Sequence, residues 1–206
     1  MARYTGNRNR IARRFGVNIF GRVRNPLLHK PNPPGVHGAR RKKKSDYGVQ
    51  LEEKQKLKAV YGMISEKQLV NSYKKAVMKK GNTSQHLAET LECRLDNMVY
   101  RLRFARTIFG AQQLVSHGHI LVDGKKVDRR SFQVKPGMVI SIKEASRKMK
   151  CIVESLDGAS QKVPEYMSAE AANFSGQLLA MPMISQLSFP LEINFPEICD
   201  FLEHSN

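Results

Sequence analysis

Between Leu87 and Ile142 the apolar residues change period, and the change falls on a single glycine. Leu87, Leu91, Leu95, Met98, Val99 and Leu102 recur every three or four residues, the repeat that turns one stripe of a helix toward a core. Ala111, Leu114 and Val115 keep that repeat up to Gly118. Beyond Gly118 it shortens to two: Ile120 and Val122 alternate, Asp123-Gly124 supplies a tight hairpin turn, and Val127 returns. In VKPGMVISI, Pro136-Gly137 reads as a turn and Val139 to Ile142 as a further strand. A helical repeat cannot serve as a strand without turning its apolar set to water. Residues 94–155 are therefore expected to form a small helix-helix-β module, and the chain as a whole to be α+β.

The flanks carry their own punctuation. A helix is expected over Val49–Tyr61, closed by Gly62, and a second after the capping box SEKQ at 65–68, running to about Lys80 with Gly81 as its stop. Ser84 is placed as the cap of one long helix reaching Phe104, and Thr107 as the cap of the next. Residues 1–48 look irregular, with the proline cluster PNPPG followed by ARRKKK, and are expected to order against RNA. Residues 144–162 suit one more helix, with Met149, Ile152, Val153 and Leu156 inward. The segment 156–191 is read as an extension packing on the module, with strand candidates near Tyr166 and at Leu178–Met181. An amphipathic piece, Pro196–Glu203, follows.

Charge says what such a chain is for. The formal net charge is +17, and it is unevenly spread. Residues 1–50 carry 13 Lys/Arg against one acid, whereas 151–206 carry one against eight. A surface that repels itself this strongly is tolerated where a polyanion neutralises it, and the acidic end suits a face turned toward a basic protein neighbour. Tyr4, Phe15, Phe20, His29, His37 and Tyr47 interleave with the arm's arginines, planar groups suited to unpaired bases. The arm's candidate RNA contacts are Arg3, Arg8, Arg10, Arg13, Arg14, Arg22, His37, Arg40, Arg41, Lys42, Lys43 and Tyr47, with Lys54 and Lys56 on the helix that follows. In the module they are Arg94, Arg101, Arg103, Arg106, Gln112, Ser116, His117, His119, Lys125, Lys126, Arg129 and Arg130. An RNA duplex hides its base edges in a deep, narrow groove, so fixed cations read backbone shape and junction geometry.

Catalytic and metal readings find little support. No GxxxxGK[ST] or GxGxxG phosphate cradle is present, and no GxSxG serine. His117 and His119 straddle a helix end, where their rings should diverge, and Asp123 beside them is needed for the turn. Cys93, Cys151 and Cys199 form no CxxC pair and are read as buried reduced thiols. No metal, cofactor or small-molecule substrate is expected. No run approaches the roughly 18 apolar residues of a membrane span, and the cytoplasm is the default location. One triplet, Arg94-Leu95-Asp96, leaves a second reading open. It resembles the catalytic loop of some pseudouridine synthases, so an RNA-modifying enzyme that uses the module for targeting is the alternative to a binding protein. A free RNA chaperone acting on stalled ribosomes is a third.

Taken together, RLDNMVYRL, AQQLVSHGHILVDGKKV and SFQVKPGMVISI closely resemble the RNA-binding module named after the S-four ribosomal protein. MARYTG, PPGVHGARRKKKSDYGVQLEEKQKLKAVYG and KKGNTSQHLAETLECRLDN extend the likeness to the small-subunit ribosomal S-four family, in its bacterial or organellar form. PEYM and LEINFPEICDFLE match it more loosely. The resemblance implies residues 1–93 with 192–206 in a basic, mainly helical domain, and an alpha-L RNA-binding motif in 94–155. It implies a structural, non-catalytic protein of the small ribosomal subunit. Such a protein binds small-subunit ribosomal RNA at a multi-helix junction and helps nucleate the subunit body. It also touches the neighbouring S-five protein at an interface that affects accuracy. Departures from the pattern fall at three places. Asn9 and Ala12 stand where a zinc-binding CxxC falls in some members. Thr107-Ile108-Phe109 replaces a stretch that usually holds an arginine, with Arg106 just before it. Met138 stands where an acid is common.

Overall fold

The computed structural model of the chain describes residues 4–22, 24–40, 43–157 and 163–204. The chain divides into two compact units, 1–87 with 188–206, and 88–187.

In the first unit the basic arm is more regular than its composition suggests. Helix α1 (Arg8–Phe15) is capped by the Asn7 side chain, which accepts from the Asn9 amide, and stops at Gly16 in the left-handed conformation. Arg13 and Arg14 in its last turn complement the helix dipole, and Ala12 is buried beneath it. These short-range devices make a helix where proline and charge content imply irregular chain. Arg13 then folds the proline-rich loop onto α1: its guanidinium donates to the carbonyls of Lys30 and Asn32, each at 3.0 Å, and of Pro33 at 3.4 Å.

Helix α2 (Asp46–Val60) is capped by Ser45, and α3 (Glu66–Val77) by Ser65, whose hydroxyl accepts from the Gln68 amide at 3.3 Å. α3 ends three residues short of Lys80. The last helix, α8 (Phe195–His204), packs on α2, with Phe201 5.3 Å from the Tyr47 ring and the Lys54 ammonium 4.4 Å from the centre of Phe201. Lys54 and Lys58 both pair with Glu66, at 2.9 and 2.8 Å. Burial raises the Glu66 carboxyl, but the two ammonium groups outweigh it and hold the group below its ordinary value.

Helix α4 (Thr83–Glu92) leads into the second unit. Its cap is Asn82 and not Ser84: the Asn82 side-chain Oδ1 accepts from the Ser84 and Gln85 amides at 2.9 and 3.4 Å. The single long helix expected through Phe104 is two, because the chain breaks at Cys93-Arg94 before α5 (Leu95–Arg101). Arg94 is extended and bridges to Gln133, while Val134 donates to the Cys93 carbonyl and Leu95 to that of Phe132, each at 2.9 Å. The returning segment takes the hydrogen bonds that an unbroken helix would have made within itself.

Helix α6 (Ile108–Ser116) is capped by Thr107 as expected. The sheet comprises β1 (Ile120–Val122), β2 (Lys125–Lys126), β3 (Val139–Ile142), β4 (Met167–Glu170) and β5 (Ser175–Leu178), antiparallel throughout in the order β2-β1-β3-β5-β4. Ile120, Val122, Ile140, Ile142 and Leu178 point into one core with Leu95, Met98, Leu102, Phe104 and Val115. The 144–162 segment is not one helix. A 3-10 turn over Glu144–Ser146 precedes α7 (Lys150–Asp157), and residues 158–162 lie outside the described ones. Ile152 is buried and Leu156, one turn on, half-buried, whereas Val153 is 40% exposed, since it lies about 100° around the helix from Ile152.

Gly176 on β5 is where the tail strands close on the helices. A Cβ there would stand 2.3 Å from a Leu102 methyl and 2.9 Å from the Ser168 carbonyl oxygen. Gly176→Ala is therefore expected to cost about 1–3 kcal/mol by overpacking, read as a lower urea midpoint with unchanged slope.

Candidate nucleic-acid interface

The module's basic surface rests on a buried polar frame. Arg94 and Asp96 are 4% and 1% exposed, and the guanidinium grips the carboxylate through two bonds, Nε to Oδ1 at 3.1 Å and NH2 to Oδ2 at 2.9 Å. Asp96 also accepts from the Asn97 amide at 3.0 Å and from Gln112 at 3.4 Å, and Gln112 in turn accepts from Arg130 at 3.4 Å. The Asp96 amide donates to the Arg130 carbonyl at 3.2 Å. One acid thus ties the start of α5 to α6 and to the basic segment after the hairpin. The Arg-Leu-Asp triplet is neither a catalytic loop nor a surface ion pair; its carboxylate is spent on structure.

A second buried acid, Glu92, is 0% exposed and accepts from Arg101 Nε and from the Tyr166 hydroxyl, each at 2.7 Å. Burial first, then the Glu92 charge, pushes the Tyr166 phenol well above its ordinary value of 10.0, against the opposing pull of Arg101. A folded-state pKa raised above the unfolded one contributes stability that is complete below about pH 10 and is lost as pH rises from there. The protein should therefore lose stability in urea as the pH rises above about 10, and Tyr166→Phe should flatten that loss.

Above this frame stands the hairpin. Asp123 and Gly124 both have positive φ, 47° and 76°, the pairing a tight hairpin turn demands, and an aspartate tolerates it. Asp123 is held twice to β3: its amide donates to the Val139 carbonyl and its carboxylate accepts from the Val139 amide, both at 2.9 Å. The turn presents Lys125, Lys126 and Arg129 to solvent, with Ser116, His117 and Arg106 also exposed on the module. The imidazoles of His117 and His119 do not diverge; their centres are 6.0 Å apart. His119 is half-buried, its Nδ1 2.9 Å from the Ser146 hydroxyl. Burial, then His117, Lys143 and Lys126, hold its pKa below the ordinary value, so it stays neutral to lower pH. Among the described residues no three His, Cys, Asp or Glu side chains gather as a metal site, and no helix is long and apolar enough to cross a membrane.

The sequence-derived candidates thus separate into two kinds. Arg10, Arg14, Arg22, His37, Arg40, Lys43 and Tyr47 are exposed in the first unit, and Arg8 and Arg13 half-buried. Arg94, Arg101, Gln112 and Lys54 are not free basic surface: each is buried or nearly so and committed to a partner within its own unit. Lys56 is half-buried and paired with Glu53. Arg103 and Arg130 are half-buried, each with a buried Nε that has no hydrogen-bond partner among the described residues. Arg3, Arg41 and Lys42 lie outside the described residues. Of the cysteines, Cys93 and Cys199 are buried, but Cys151, near the start of α7, is exposed. No pattern in the sequence signals the Glu92–Arg101–Tyr166 link, whose members lie up to 74 positions apart.

Residues 3–92 match the family model described as "Ribosomal protein S4/S9 N-terminal domain", and 93–140 match the "S4 domain". Over 205 residues, all of both chains, the protein is 74% identical to "Small ribosomal subunit protein uS4" of Protochlamydia amoebophila. The chain belongs to the S-four family of small-subunit ribosomal proteins. The proteins of the same description from Chlamydia muridarum and Chlamydia trachomatis serovar D are 64% and 63% identical over 207 residues, 99% of each chain. As a member of this family the chain is a ribosomal protein and not an enzyme, in agreement with the sequestered Asp96.

Proposed function

We propose that this S-four family chain works in the small subunit of a bacterial-type cytoplasmic ribosome as a structural RNA-binding protein. It binds small-subunit ribosomal RNA at a multi-helix junction and helps nucleate assembly of the subunit body. Through contact with the neighbouring S-five protein it contributes to translational accuracy. The observation that carries the RNA-binding reading is the separation of the module's charges. Arg94 and Arg101 are consumed by buried acids, while Lys125, Lys126, Arg129 and Arg106 stand exposed on a scaffold that those buried pairs make rigid. Cations held in fixed relation read the path of a phosphate backbone. Arg106 stands exposed just before the α6 cap, one position ahead of the stretch where the resemblance implies an arginine. The acidic 151–206 segment supports the protein-facing side of the reading.

The test is competition at moderate salt. The purified chain is expected to retain labelled small-subunit RNA against excess transfer RNA and duplex DNA, and to protect a junction in footprinting. Equal displacement by all three competitors would sink the proposal.

A further inference from the structure

We infer that the cavity between α6 and α7 receives a single unpaired nucleotide of the bound RNA, base inside and phosphate at the mouth. This goes one step beyond the RNA-binding reading and rests on it. The cavity measures about 340 Å³ and is formed wholly within the second unit. That is near the lower end of the roughly 300–1,000 Å³ of small-ligand sites, room for one base with its sugar. Its floor is apolar, made by Phe104, Leu114 and Met149. Around the rim stand Arg106, Gln113 and His117, all exposed, and no Asp or Glu lines it.

Each part matches one part of a nucleotide. The floor takes the apolar faces of a base, as side chains do when single-stranded RNA is recognised. Gln113 carries both a donor and an acceptor for a base edge. His119, with Nδ1 held by Ser146, is left with Nε2 to offer. Arg106 supplies the forked cation a phosphate prefers. Lys126 and Lys143 lie close enough to His119 to depress its protonation, so the surroundings are positive and favour an anion. A base stacked in a duplex cannot reach such a floor; one splayed from a junction or loop can, at small unstacking cost.

Photo-crosslinking of the full-length chain to small-subunit RNA carrying 4-thiouridine and 6-thioguanosine tests this. An inserted base crosslinks to the floor, to Met149 or Phe104, from one unpaired nucleotide. Cys151 is exposed at the cavity, so Cys151→Trp plugs it without burdening the core. That variant should lose the floor crosslink and bind about five- to hundredfold more weakly, the worth of one stacked base. Wild-type affinity in Cys151→Trp, with crosslinks confined to rim residues such as His117, overturns the inference and leaves RNA binding intact. Alkylation of Cys151 slowed only in the assembled subunit, and not by naked RNA, assigns the cavity to a protein neighbour and also overturns it. Failure to form any RNA complex would instead remove the RNA-binding reading, and this inference with it.

Discussion

Asp96→Ala is expected to destabilise the protein by about 3–5 kcal/mol, the cost of leaving a buried cation without its partner. The carboxylate accepts four hydrogen bonds, two of them from the Arg94 guanidinium, and neither side chain reaches water to any useful extent. Against a typical total of roughly 5–15 kcal/mol, such a loss moves a domain close to unfolding. Urea unfolding should show a large fall in midpoint. Asp96→Asn keeps the shape and part of the bonding, and is expected to fall between the two. Arg94→Met combined with Asp96→Leu removes both charges and should recover much of the loss, because a buried pair is worth little more than well-packed apolar groups. A loss in the double variant as large as in Asp96→Ala would count against a paired role. The same variants separate structure from contact. Were Arg94 an RNA contact, the double variant would bind RNA more weakly even while fully folded; a guanidinium spent on Asp96 predicts unchanged affinity there.

Much of this architecture is legible in local sequence because its causes are local. The caps Ser45, Ser65 and Thr107 act within three residues, and the Asp123-Gly124 turn is fixed by the φ values those two residues tolerate. The alternation at Ile120 and Val122 likewise follows from one buried face. What is not legible depends on distant chain. The break at Arg94 is made by residues 132–134, nearly forty positions on, and no helical pattern in RLDNMVYRL announces it. Helix α1 is hidden for the opposite reason: its cap and its glycine stop are present, but thirteen Lys/Arg in fifty residues mask them. Site residues divide along the same line. Sequence identifies which residues are cationic, but only the fold separates Lys54, lying over Phe201 and paired with Glu66, from Lys125 and Lys126, which stand exposed on the hairpin.

That division sets the expected salt dependence of RNA binding. Nine of the sequence-derived Lys and Arg candidates are exposed among the described residues: Arg10, Arg14, Arg22, Arg40 and Lys43 in the first unit, and Arg106, Lys125, Lys126 and Arg129 in the second. If each neutralises one phosphate, each adds roughly 0.7–0.9 to the slope of log affinity against log salt, and the affinity should fall about 10³- to 10⁵-fold between roughly 50 and 200 mM salt. Replacing Lys125, Lys126 and Arg129 together with alanine should lower that slope by about 2 to 3, with little change in the urea midpoint, since these side chains are exposed. Lys54→Met should do the reverse, shifting stability through Glu66 and Phe201 while leaving the salt slope as it was. Filter binding across a salt series reads both. A triple variant with the wild-type slope would mean that the hairpin does not meet the phosphates. A reduced slope in Lys54→Met would mean that the buried lysine leaves its partners on binding, so that the free fold differs from the RNA-bound one in the first unit.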